Sequence, residues 1–217
     1  MAIFRQPPVI FIHIRKTGGT SIRRALGLDT VTLGWHRTLK GYAKQLGDEF
    51  VNFKSFAFVR NPWDRLVSQY HHLRQSPDAY PQRWGADEMG FKDWVMSAKP
   101  KWHYPRTTVK KRKNQPKKLN GLGIAMRPQA AYLTMNGKIA CTHVGRFENL
   151  HADLWRIADI LGLTLNERLL PILNASDHPP YHDCYDDELA AHVGRLYKWD
   201  CKEFGYSWGQ TSTTSSV

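Results

Sequence analysis

Two apolar runs, each followed by a helix start, constrain the fold of this chain more than any other feature. The first, Val9-Ile-Phe-Ile-His-Ile14, lies between Pro7-Pro8 and Gly18-Gly19. A short, β-branched run bounded by turn residues reads as a buried strand that ends at the glycines. Ser21 to Leu28 follows with Ile22, Ala25 and Leu26 at helical spacing and Thr20 or Ser21 as the cap. The second run, Phe53 to Val59, reads as another inner strand. Asn61-Pro62 then supplies an N-cap and a proline at the first helical position for a helix from Pro62 to about Arg74. Recurrent strand-turn-helix units predict an α/β fold, a parallel β-sheet flanked by helices, with ligands at the carboxyl ends of the strands.

Further elements follow from periodicity. Trp35 to Leu46 is expected to be helical and Ala140 to Val144 to be a strand. Leu150 to Leu161 places Leu150, Leu154, Ile157, Ala158 and Leu161 on one face and ends at Gly162 as a C-cap. Asp186 to Asp200 carries acidic residues in its first turn and Leu189, Val193, Leu196 and Tyr197 at helical spacing. The chain of 217 residues is long enough for one core, so a single domain over residues 1–217 is expected, with a loop or lid insertion at about 100–128 and a flexible tail after about residue 208. No apolar run approaches the roughly 20 residues that cross a bilayer, and the N-terminus lacks the apolar core of a signal peptide. Three cysteines, Cys141, Cys184 and Cys201, form no CxxC pair and read as reduced thiols in a cytoplasm.

The charge is unevenly placed. Between Asp93 and Glu148 there is no acidic residue, while 12 Lys and Arg side chains lie inside, which equals the formal net charge of +12 for the whole chain. The excess is therefore local, densest at Lys110, Lys111, Arg112, Lys113, Lys117 and Lys118. A basic device of this kind, set inside the chain, suits an anionic partner.

Lys16-Thr17-Gly18-Gly19-Thr20-Ser21 sits between the first strand and its helix, where glycines let the backbone wind closely around an anion and helical N–H groups are free. It reads as a phosphate or sulfate cradle. It is not a Walker A loop, because Lys16 precedes both glycines instead of following them. Arg60, at the exit of the second strand beside a helix N-terminus, suits a second phosphate, and Ser68 lies about two turns into that helix. His178, His182 and Cys184 have superficially metal-like spacing but no fourth ligand, so no metal site is expected. His13, alternating within the strand, reads as a core residue close to the cradle.

Taken in order, FIHIRKTGGTSI and FAFVRNPWDRLVSQY resemble the 3′-phosphoadenosine 5′-phosphosulfate-dependent sulfotransferases of the carbohydrate type, related to the heparan 2-O and chondroitin enzymes. Arg127-Pro128-Gln129 with Tyr132-Leu133, Val144 to Leu150, Tyr185, Asp200 and Phe204-Gly205-Tyr206 extend the similarity over about residues 9 to 208. Arg15 stands where the family loop usually has proline. The resemblance implies a P-loop-NTPase-like sulfotransferase fold. It implies that Lys16, Thr17, Gly18, Gly19, Thr20 and Ser21 bind the 5′-phosphosulfate, that Arg60 and Ser68 bind the 3′-phosphate, and that adenosine 3′,5′-bisphosphate is the product. His36 lies between the cradle helix and the second strand, where related glycan enzymes carry a catalytic histidine, and is the expected base beside catalytic Lys16. Sulfuryl transfer of this kind needs no metal, and the expected partner is a small-molecule or glycan acceptor, without nucleic acid or a transmembrane segment.

Two other classes stay open on residues alone. A small nucleotide-dependent kinase would require a lysine after the glycines and carboxylates for magnesium, and magnesium dependence of donor binding would reveal it. A nucleic-acid-binding protein would use the basic segment, and steep log-log salt slopes with polynucleotide would reveal that.

Overall fold

The computed structural model describes residues 3–28, 36–75, 86–97, 126–166 and 179–209. The densest part of the basic segment and the C-terminal tail lie outside these residues, as do Trp35 and His178. The chain divides into two compact units, residues 1–61 with 129–175, and residues 62–128 with 176–217.

The first unit holds the sheet. Strand β1 (Ile3–Arg5) pairs antiparallel with β2 (Pro8–Ile12), β2 pairs parallel with β3 (Lys54–Val59), and β3 pairs parallel with β6 (His143–Arg146), giving the order β1-β2-β3-β6. Register is set by Ile12 opposite Ala57 and Val59 opposite Arg146. Helix α1 (Gly19–Ala25) follows β2, α2 (Leu39–Leu46) precedes β3, and a short helix α5 (Ala130–Leu133) leads into the hairpin β4 (Thr134–Met135) and β5 (Lys138–Ile139). Helix α6 (Leu150–Leu161) follows β6. Val9, Phe11, Phe56 and Phe58 send alternate side chains to one sheet face, where Ile22 and Ala25 of α1 and Leu154, Ile157 and Leu161 of α6 cover them. Ile10, Ile12, Ala57 and Val59 on the opposite face are buried too. Burial on both faces explains why the strands read as continuous apolar runs.

The second unit is helical: α3 (Pro62–Gln75), α4 (Phe91–Ser97), α7 (Asp187–Leu196) and α8 (Lys198–Phe204). The Trp63 indole of α3 donates to the Ala190 carbonyl of α7 at 2.9 Å. Buried Arg65 donates to the Arg127 carbonyl at 3.0 Å and lies 5.2 Å from the Tyr197 ring centroid.

The sheet is parallel-dominated and flanked by helices, as the strand-turn-helix pattern predicts, with differences in detail. Strand β1 was not expected, because three residues carry no period. The helix expected from Trp35 begins at Leu39, since the Thr38 hydroxyl caps it by accepting from the Gly41 N–H. The strand expected at Ala140 starts at His143, because Thr142 bonds Ser55 through side chains instead of through a backbone ladder. The helix expected to run from Asp186 to Asp200 breaks at Tyr197, whose buried hydroxyl donates to the Met126 carbonyl at 2.8 Å. Gly162 caps α6 in the left-handed conformation, as expected.

Gly145 lets β6 lie against β3. A Cβ there would meet the Phe58 ring at 2.5 Å, and Phe58 is fully buried. Gly145→Ala is expected to destabilise the protein by ~1–3 kcal/mol through overpacking, whereas Gly90→Ala, with open space around its Cβ, should be nearly neutral. Urea unfolding of both variants checks this, and equal midpoints would contradict the tight β3-β6 contact.

Candidate active site

The exits of β2 and β3 are adjacent because the strands are parallel neighbours, and this brings the residues after each strand together. The β2 exit runs through Arg15, Lys16 and Thr17 into Gly18. Lys16 has φ 62, the left-handed region that costs a non-glycine residue roughly 1 kcal/mol. The Thr17 hydroxyl donates to the Ile14 carbonyl at 3.1 Å and fixes the turn. Gly18, not Thr20 or Ser21, is the N-cap of α1. Its φ of 77 is one a side chain would resist, and a Cβ there would press Leu150 at 3.0 Å. The first helical bond runs from the Ile22 N–H to the Gly18 carbonyl, so the N–H groups of Gly19, Thr20 and Ser21 precede it and are not consumed by the helix. Thr20 is exposed and Ser21 buried.

Arg60 reaches this loop. Its Nη1 donates to the Lys16 carbonyl at 3.3 Å, and its guanidinium lies 4.1 Å from the centroid of the Phe147 ring. Burial first, and then the Arg60 charge, push the Lys16 ammonium down to about 8. Two cations are therefore gathered at the strand exits, which is the electrostatic condition for holding an anion between them.

His36 joins the loop through His13. Its φ is 53, and its Nδ1 lies 3.0 Å from the His13 carbonyl oxygen. With that carbonyl as acceptor, Nδ1 carries the proton and Nε2 keeps the lone pair. The His13 and His36 ring centroids are 4.6 Å apart, and the His13 ring fills the space where a Gly19 Cβ would lie, 2.0 Å away. Burial, aided by Arg15, pushes His36 down to about 4, and burial pushes His13 down to about 3. Both imidazoles are neutral at physiological pH.

Lys16, the Gly18–Ser21 turn, Arg60 and His36 thus belong to one unit. Ser68 is buried on α3 in the other. Sequence reasoning missed the groups that hold Arg60. The buried Gln129 amide bonds its backbone, accepting from the N–H at 2.8 Å and donating to the carbonyl at 2.7 Å, and Glu148 accepts from the Asn61 N–H. These partners lie 69 and 87 residues away in the chain, where spacing carries no signal. His182 and Cys184 lie in the turn Tyr181–Cys184, and among the described residues no group of three or more His, Cys, Asp or Glu side chains could hold a metal ion. Burial pushes the Cys141 thiol up to about 12, so it is unreactive.

A family model described as the sulfotransferase family matches residues 1–207. No curated protein and no solved structure matches the chain significantly. No helix among the described residues is long and apolar enough to cross a membrane.

The cation pair has a cost in the ligand-free protein. Lys16 titrates at about 8 when folded against an ordinary 10.5, so between those values the unfolded chain binds a proton that the folded chain does not. Stability from this group therefore rises with pH across that window, and the full penalty applies below it. Lys16→Met is expected to stabilise the protein at pH 7 by ~1–2 kcal/mol, discounted for partial exposure, and to lose that gain by about pH 10.5. Urea unfolding at both pH values checks this; a less stable variant at pH 7 would contradict it.

Proposed function

Because the chain belongs to the sulfotransferase family, we propose that it transfers a sulfuryl group from 3′-phosphoadenosine 5′-phosphosulfate to a hydroxyl of a carbohydrate acceptor, releasing adenosine 3′,5′-bisphosphate. The observation that carries this reading is the meeting of the Lys16 loop and the Arg60 guanidinium at the exits of β2 and β3. Two cations gathered beside the N-terminal turn of α1 match a donor with negative charge at both its 5′ and 3′ ends. The Gly18–Ser21 turn takes the 5′-phosphosulfate, with Thr17 fixing its path, and Arg60 takes the 3′-phosphate.

The chemistry follows from the protonation states. His36, held neutral with Nδ1 on the His13 carbonyl, presents Nε2 as the base. Nε2 takes the acceptor hydroxyl proton as that oxygen bonds to sulfur, and the bond from sulfur to the bridging phosphate oxygen breaks with its electron pair going to phosphate. Lys16, with an ammonium pushed down to about 8, is charged at neutral pH and stabilises the negative charge growing on the leaving oxygen. The arriving donor offsets the Arg15 charge that, after burial, depresses His36, and so raises its basicity. The step uses no metal. The basic segment at about 100–128 is assigned the acceptor, favouring an anionic glycan, and the three free cysteines suit a reducing cytoplasm.

Lys16→Ala and His36→Ala are expected to differ in kind. The first should weaken binding of the bisphosphate and lower turnover, whereas the second should leave that affinity unchanged and lower turnover about 10²- to 10⁴-fold. Calorimetry with the bisphosphate, together with transfer of labelled sulfuryl to a carbohydrate panel, separates the two. Unchanged turnover in His36→Ala would assign the base elsewhere.

A further inference from the structure

Arg60 sits just past the end of the sheet. Strand β2 pairs with β3 only as far as Ala57, and β6 pairs with it only as far as Val59. Beyond that point β6 turns away, its Arg146 N–H donating to the Asp153 carboxylate at 2.7 Å. The backbone of Arg60 is thus beyond the reach of either neighbouring strand, yet Arg60 is buried and its N–H and C=O must be bonded. Gln129 does this with a side chain. A primary amide offers one acceptor and one donor on the same carbon, the same pair that a neighbouring strand would present, and both bonds are short and direct, at 2.8 and 2.7 Å.

The amide is itself held. Gln129 is fully buried at the start of α5, whose Ala130, Tyr132 and Leu133 are buried, and its own carbonyl accepts from the Tyr132 N–H at 2.9 Å. With its backbone fixed by Gln129, the Arg60 side chain leaves the strand in one direction, across the Phe147 ring and toward the Lys16 carbonyl. One residue further on, Glu148 captures the Asn61 N–H.

We propose that Gln129 is a positioning residue for Arg60: its amide acts as a surrogate strand that extends β3 by one residue and preorganises the guanidinium over Phe147 for a phosphate of the nucleotide. The inference rests on the reading of Arg60 as a phosphate ligand. Its consequence is a coupling. Removing the amide frees the Arg60 backbone, so binding must then spend part of its free energy on ordering a long side chain, and affinity falls by about tenfold. That loss exists only while Arg60 has a guanidinium to order.

A double-mutant cycle reads this directly. Calorimetry with adenosine 3′,5′-bisphosphate is carried out on the wild type, Gln129→Met, Arg60→Ala and the double variant, each shown to be folded by its thermal melt. The expected result is a roughly tenfold weaker affinity for Gln129→Met than for the wild type, and no difference between Arg60→Ala and the double variant. An equal loss in both backgrounds makes Gln129 a packing residue and overturns this inference alone. Wild-type affinity in Arg60→Ala overturns both this inference and the donor reading on which it rests. If Gln129→Met does not fold, Gln129→Glu, which keeps the bond to the Arg60 N–H and loses the one to its carbonyl, enters the same cycle with a smaller expected loss.

Discussion

Two positive charges pressed together at the exits of adjacent parallel strands organise the first unit of this protein. The pairing of β2 with β3 delivers Lys16 and Arg60 to the same edge, and burial of Arg60 with partial burial of Lys16 limits their screening by water. Left alone, such an arrangement is unfavourable: burial first, and then the Arg60 charge, depress the Lys16 ammonium. The surrounding structure tolerates it because the loop is fixed from several sides. Thr17 bonds back to Ile14, Gly18 and Gly19 allow Leu150 and His13 to approach, and the Phe147 ring lies beneath the Arg60 guanidinium. A site that stores unfavourable charge in the empty state releases it when an anion arrives, so stability and binding pull in opposite directions at Lys16.

Side chains replace missing backbone partners at both ends of β3. At the entry, Ser55 and Thr142 exchange bonds between main-chain N–H groups and hydroxyls, at 3.1 Å in each direction. At the exit, Gln129 bonds both backbone groups of Arg60. The central strand is therefore held over a longer span than its six ladder residues, and the residue that gains most is the one meeting the nucleotide in the proposed reaction. A similar logic holds for His36, where a backbone carbonyl rather than a carboxylate sets the tautomer, so that the imidazole is oriented without an added negative charge.

How much of this could be read from sequence depended on distance along the chain. The β2 and β3 strands, the glycine turn, the start of α3 at Pro62 and the end of α6 at Gly162 all follow from neighbours within a few residues, where apolar period and turn chemistry are informative. Lys16 and Arg60 were identifiable for the same reason, since each marks a strand exit. Legibility stopped where the deciding contact was remote. Nothing near Tyr197 announces the break between α7 and α8, and the partner of its hydroxyl, the carbonyl of Met126, lies 71 residues away. Gln129 and Glu148 lie in segments that extend the family resemblance, but nothing near them announces their bonds to Arg60 and Asn61. The cap of α1 was misassigned because a hydroxyl is the usual cap, whereas here the backbone conformation of Gly18 serves without one.

The central claim is that the strand exits form a cradle for a nucleotide bearing phosphates at both its 3′ and 5′ positions. Calorimetric titration of the wild-type protein with adenosine 3′,5′-bisphosphate and, separately, with adenosine 5′-monophosphate tests it most directly. The account predicts that the bisphosphate binds more tightly by about 10- to 150-fold, the worth of roughly 1.5–3 kcal/mol for charge-assisted bonds to the second phosphate. Equal affinity for the two nucleotides would contradict it.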